Sequence, residues 1–171
     1  MGKETCWDRH VFFQSYKEEF TLIFESEIFG SVEVDESKIC IFEKGLPGFP
    51  DVRRFVPLPF DRNGVFSYFH SLDHPSLCFV IMNPFVLFRD YEFQLSESVK
   101  WELDIAETSE IGVYVIVTLG KDLSSSTANL RAPLVVNLSN GKAKQVILED
   151  SPYAMKELLG PMLESLREVG S

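Results

Sequence analysis

Period-two alternation and short apolar runs dominate the middle of this chain, and helical patterns are few. FTLIFES (residues 20–26) and GSVEVDE (30–36) both alternate, the second placing Val32 and Val34 on one face. KICIFE (38–43) predicts a third strand. RRFVPLPF (53–60) carries two prolines, which cannot donate to a ladder, so it reads as an edge strand or an extended connector. GVFSYFHSL (64–72) and LCFVIMNPF (77–85) predict two strands separated by the turn-like DHPS. VLFRDYEFQL (86–95) offers another strand, with Phe88 and Tyr91 out of step, as at a bulge or bend. IGVYVIVTL (111–119), rich in β-branched and aromatic residues, is the clearest strand. In APLVVNLSNGKAKQVIL (132–148), Asn140 and Gly141 lie between two apolar runs and predict a hairpin. Its turn is expected to be type I′, with positive φ at both central residues.

Two helices are predicted. LSESVKWELDI (95–105) starts at Ser96 or Ser98 as N-cap, with acidic residues in the first turn. SPYAMKELLGPMLESLREV (151–169) starts at Ser151 with Pro152 at the first helical position. Met155, Leu158, Leu159, Met162, Leu163 and Leu166 would share one face, and Gly160-Pro161 would kink or break the helix. That stripe either docks on the rest of the fold or serves self-association. Roughly eight short strands with regular turn punctuation indicate an all-β barrel or sandwich, with no βαβ units.

The 171 residues suit one domain with a core that needs no covalent staples. The charge is lopsided: 16 Lys+Arg against 26 Asp+Glu give −10. Such a chain repels nucleic acid phosphates and anionic membranes, and attracts basic proteins. Cys6, Cys40 and Cys78 form no CxxC pair, which argues against a disulfide framework or a zinc knuckle. No apolar stretch is long enough to span a membrane, and the charged N-terminal stretch is not a signal peptide, so a reducing cytoplasm is the expected compartment.

Catalytic chemistry finds poor material. HSLDHP gathers His70, Asp73 and His74, but across a strand end and a proline turn, so a solvated turn is expected rather than a metal site. HExxH, GxSxG, Walker and GxGxxG patterns are absent, so no cofactor is expected. SSSTANL (124–130) has hydroxyls but no histidine placed as their base. The unusual features are loops that carry apolar, Asn and Pro residues. In GLPGF (45–49), Gly45 and Gly48 supply backbone angles other residues resist, while Leu46 and Phe49 either tuck onto the barrel or contact a partner. In NPF, Asn83 precedes a proline that forces a switch from extended chain to turn. In TANLRAP, Asn129 can bond its own backbone and tolerates αL, and Arg131 suits an interface anchor.

FGSVEVDESKICIFEKGLPGF, SLDHPSLCFVIMNPF, RDYEFQLSE, VYVIVTL, TANLRAPLVVN and AKQVILEDSPY follow one another in this order. As a set, spanning about Phe29 to Tyr153, they resemble the FliW family of bacterial flagellar assembly factors. The resemblance implies an antiparallel β-barrel without enzymatic activity, acting in the cytoplasm. Its implied partners are flagellin and CsrA, a basic RNA-binding translational repressor. Sequestering CsrA would relieve repression of flagellin synthesis, with no direct contact to nucleic acid or membrane. The implied organisation is an N-terminal extension (1–19), a barrel domain (20–153) and a helical tail (154–171). Leu46, Pro47, Phe49, Asn83, Asn129, Leu130 and Arg131 are the candidate partner-binding residues, and Leu130→Asp or Arg131→Glu should weaken binding while leaving the fold intact. His74 stands where the resemblance leads one to expect an acidic residue. The rival reading is a small-ligand-binding β-barrel, such as a split-barrel enzyme.

Overall fold

The computed structural model describes residues 20–169, and side chains as far as Glu164. The expected N-terminal extension lies outside the described residues, as does the side chain of Leu166. The strands in chain order are β1 (Thr21–Ser26), β2 (Gly30–Asp35), β3 (Cys40–Phe42), β4 (Arg54–Pro59), β5 (Phe66–Ser71) and β6 (Cys78–Met82). They continue with β7 (Ile111–Thr118), β8 (Thr127–Ala128), β9 (Leu134–Asn137), β10 (Lys142–Gln145) and β11 (Glu157–Leu158). The helices are α1 (Pro84–Leu87), α2 (Glu97–Glu102) and α3 (Gly160–Val169).

Seven strands close a barrel in the order β7, β6, β5, β4, β3, β10, β9 and back to β7. Every seam is antiparallel except β3–β10, which is parallel and pairs Ile41 with Lys142 and Phe42 with Ala143. The all-β antiparallel barrel expected from the sequence is therefore the fold, with one parallel seam. Aromatic residues fill the interior: Phe55 stacks on Phe69 at 5.0 Å, and Phe42 meets both edge-on. Each such ring contributes roughly 1.5–3 kcal/mol through burial. The prolines of β4 are tolerated because β3 pairs only with Arg54 and Phe55, leaving Pro57 and Pro59 opposite β5 alone.

β1 and β2 form a separate two-stranded ribbon outside this barrel. Leu22, Phe24 and Ser26 face inward and Ile23 faces solvent, which is the period-two pattern of the sequence. Ser26 fixes the ribbon to the barrel. Its hydroxyl accepts from the N–H groups of Ile28 and Phe29 and lies 2.7 Å from Nε2 of His70. His70 is fully buried, and its Nδ1 lies 2.6 Å from the Ser71 carbonyl. A carbonyl only accepts, so Nδ1 donates, and in the neutral ring Nε2 receives the Ser26 proton. Phe24 packs edge-on to the same imidazole.

Three local expectations need correction. Residues 86–95 form no strand. Asn83 is extended, accepts from the N–H of Phe85, and with Pro84 starts the short helix α1. The hairpin between β9 and β10 exists, but its turn is not type I′. Only Gly141 has positive φ, and Asn140 instead donates to the Leu103 carbonyl while accepting from the Lys142 N–H. No helix starts at Ser151. Glu157 and Leu158 pair with β8, and α3 starts at Gly160 with Pro161 in its first turn, so Gly160-Pro161 opens a helix rather than kinking one. Leu159 is buried, whereas Met155 and Leu158 are exposed, so the predicted single stripe is split. The other helix keeps its predicted place: Ser96 caps α2 and accepts from the Val99 N–H.

Candidate partner interface

Strand register separates the candidate residues into two groups. GLPGF leaves the barrel where the start of β4 meets the end of β5. Asn83 and α1 follow the end of β6, which pairs with the start of β5. The two groups thus sit at opposite ends of β4–β6.

At the first end, Leu46 to Phe49 make a tight turn closed from both sides: Phe49 N–H donates to Leu46 O at 2.8 Å, and Leu46 N–H to Phe49 O at 3.3 Å. Pro47 then Gly48, the latter at φ 86°, are the central residues a type II turn calls for. Leu46 is 3% exposed within the barrel core, and Phe49, 37% exposed, rests edge-on against Phe79. Leu46 therefore shapes the loop from beneath, while Pro47 and half of Phe49 form surface. Gly45 is required by space: a Cβ there would lie 2.3 Å from the Phe49 carbonyl oxygen. Beside this loop runs a groove of about 650 Å³, between β3, the loop, β10 and the end of α2. Ile41, Leu46 and Pro47 give it an apolar floor, and Lys44, Arg53, Lys142 and Lys144 give it a cationic rim.

At the second end, NLRAP is an excursion between β8 and β9, both of which pair with β7. Asn129 accepts from the Ala132 N–H and shapes the excursion. Arg131 donates to the Glu149 carbonyl, and its backbone binds Ala154 and Leu148, so it ties down residues 148–154. Leu130 is 3% exposed in a cluster with Leu87, Phe88 and Tyr91. Leu130→Asp would put a carboxylate into that cluster, so it is not neutral to the fold. Tyr91 donates to the Leu130 carbonyl at 2.8 Å, and burial, then the neighbouring Tyr153, push its phenol pKa up. A second groove of about 590 Å³ opens here, lined by Val86, Leu130, Tyr153 and Met162 among others. Phe85 and Val86, both exposed on α1, are surface residues that strand periodicity did not reveal. The proline at the helix start was the available signal.

The HSLDHP region is not a solvated turn throughout. His70 is buried in β5, as described. Asp73 accepts from the N–H groups of Arg53 and Arg54 and from Nε of Arg54, each at 2.8 Å. Partial burial pushes its pKa up, but the two backbone donors and the Arg54 guanidinium outweigh it and hold the carboxyl below the usual range. Among the described residues, no cluster of three or more His, Cys, Asp and Glu could hold a metal. Cys40 is buried and its thiol is pushed up to about 12 by that burial, so it is inert; Cys78 is half-buried. Among the described residues, no helix is long and apolar enough to cross a membrane.

Comparison with known proteins matches both the sequence and this architecture. The FliW protein family profile matches residues 23–159. The flagellar assembly factor FliW of Bacillus pumilus (strain SAFR-032) is 41% identical over 138 residues, covering 81% of this chain and 96% of the relative. The flagellar assembly factor FliW of Bacillus subtilis (strain 168) is 38% identical over 139 residues, covering 81% and 97%. A crystal structure of the flagellar assembly factor FliW is similar with TM-score 0.73 at 34% identity, covering 81% of this chain and 96% of that one. With the barrel, the ordered loop motifs and these matches in agreement, the chain belongs to the FliW family.

Proposed function

We propose that this protein is a cytoplasmic flagellar assembly factor that binds flagellin and, when free of it, binds and antagonises CsrA. The observation that carries the reading is the family match across residues 23–159, which contain every quoted loop motif. The net charge of −10 supports it: an RNA-binding repressor is basic, so the acidic chain is steered to the repressor and kept off its RNA. No chemical step is required, and the protein acts by occupancy. Of the candidate residues, Pro47 and Phe49 are exposed, Asn83, Asn129 and Arg131 are half-buried, and Leu46 and Leu130 are buried.

Calorimetric titration with the same organism's CsrA, at low and at high salt, tests the reading, with a repeat after saturation by flagellin. The expected result is binding that weakens with salt and disappears when flagellin is bound. Absence of binding at both salts overturns the CsrA half. CsrA binding undiminished by flagellin overturns the switch between partners.

A further inference from the structure

We propose that the groove between GLPGF and β10 is a docking site for a short acidic, apolar peptide segment of a partner protein. The inference rests on the groove alone and not on the identities of flagellin or CsrA.

The charge of the groove opposes that of the chain. Its rim has four cations, Lys44, Arg53, Lys142 and Lys144, against the carboxylates of Glu43 and Glu102, whereas the protein carries −10. Two of the cations are already matched: Lys144 Nζ binds Glu102 at 2.6 Å, and Lys142 binds Asp104. The Lys144 hydrogen bond and charge, with a smaller contribution from the charge of Lys44, hold the Glu102 pKa below its usual value. Lys44 and Arg53 make no ion pair within 4 Å among the described residues, and both are exposed. They are the cations an incoming carboxylate would meet.

The floor selects for apolar side chains. Ile41, an exposed large hydrophobic on β3, lines the groove together with Pro47 and the buried Leu46. The groove exists because β3 leaves its parallel partner after Phe42 and turns into GLPGF, while β10 runs on along β9. The loop wall is stiff: it is closed by two backbone hydrogen bonds and anchored by buried Leu46. A preformed wall keeps the ordering cost of binding low. A basic segment would face Lys44 and Arg53. A nucleic acid would bring many phosphates toward a strongly acidic chain. An acidic peptide with apolar residues satisfies both floor and rim.

The test uses fluorescence anisotropy with the full-length protein and labelled short peptides. One alternates leucine with glutamate, one leucine with lysine, and one serine with glutamate. A single-stranded RNA oligonucleotide is the fourth probe. The leucine–glutamate peptide should bind saturably and more tightly than the other three, and weaken as salt rises. K44E/R53E should lower its affinity roughly tenfold, K44Q/R53Q should lower it less, and K121E/K156E, which makes the same change in net charge outside the groove, should leave it unchanged. Thermal melts identify variants that fold normally. The proposal is overturned by failure of the leucine–glutamate peptide to saturate, by equal or tighter binding of the lysine peptide or RNA, or by unchanged affinity in folded K44E/R53E. Light scattering that shows a dimer for the wild type and a monomer for folded K44E/R53E also overturns it.

Discussion

Gly45→Ala and Gly48→Ala change the same loop by the same methyl group, yet the structure assigns them different costs. Both glycines have positive φ, +67° and +86°. Alanine in left-handed backbone costs roughly 1–2 kcal/mol at either position. At Gly48 the added Cβ meets nothing within 4 Å, so that is the whole penalty. At Gly45 it would lie 2.3 Å from Phe49 O and 2.7 Å from Pro50 O. These are backbone atoms, so no rotamer change relieves the overlap. The loop must move, and moving it opens the two Leu46–Phe49 hydrogen bonds and lifts Leu46 from the core. Partial loss of one buried leucine adds about 2 kcal/mol or more. Gly45→Ala should therefore cost about 3–5 kcal/mol in total. In a chain of this size about 1 kcal/mol lowers Tm by about 2–4 °C. Thermal and urea denaturation should then show a fall on the order of 10 °C for Gly45→Ala and about 2–8 °C for Gly48→Ala. Equal falls for the two variants would refute the steric argument and leave only backbone strain.

Three further predictions concern other joints of the fold. Asp73→Asn should cost about 1 kcal/mol near neutral pH, after allowance for solvent screening of a surface site. Because the folded pKa of Asp73 is depressed, its contribution is full above its unfolded value of about 4 and is lost as pH falls through the lowered folded value. The stability gap between wild type and Asp73→Asn should thus close in acid, and a gap unchanged down the acid limb would contradict the assignment. Ser26→Ala leaves His70 Nε2 and the N–H groups of Ile28 and Phe29 without their partner, a loss of about 2–3 kcal/mol. Hydrogen exchange should quicken in residues 21–35 while β5–β7 stay protected; uniform quickening would mean the ribbon is not a separate unit. Leu130→Asp should cost at least about 3 kcal/mol, through a buried carboxylate and lost packing. A wild-type melting temperature for Leu130→Asp would show that the NLRAP excursion is not packed as described.

What the sequence revealed and what it hid differ in physical kind. β1 and β2 were legible because each faces water on one side, which writes alternation into the chain, whereas β5, β6 and β7 were legible as short apolar runs rich in β-branched and aromatic residues. The hairpin at Asn140 was located, but its turn type was not, because Asn140 is engaged by the Leu103 carbonyl and that partner is distant in sequence. α1 was hidden because a four-residue helix has no period to detect, leaving only the Asn83-Pro84 cap. The loop residues singled out for their chemistry fared in the same way. Asn83 and Asn129 stood out as unusual, and in the structure their amide oxygens accept from the loop backbone two or three residues on. Leu46 and Leu130 stood out as apolar, and that apolarity is directed inward. Local sequence thus identified the loops correctly but could not say which way each side chain points. The cationic groove lay further out of reach. Lys44 and Arg53 flank GLPGF, while Lys142 and Lys144 flank Ala143 on a distant strand. They meet because β3 and β10 pair in parallel, and a parallel pair has no connecting turn whose residues could announce it. A charge distribution created by a non-local seam is invisible to composition, which records only the total of −10. The sign of that total would even direct a search away from a groove whose rim is cationic.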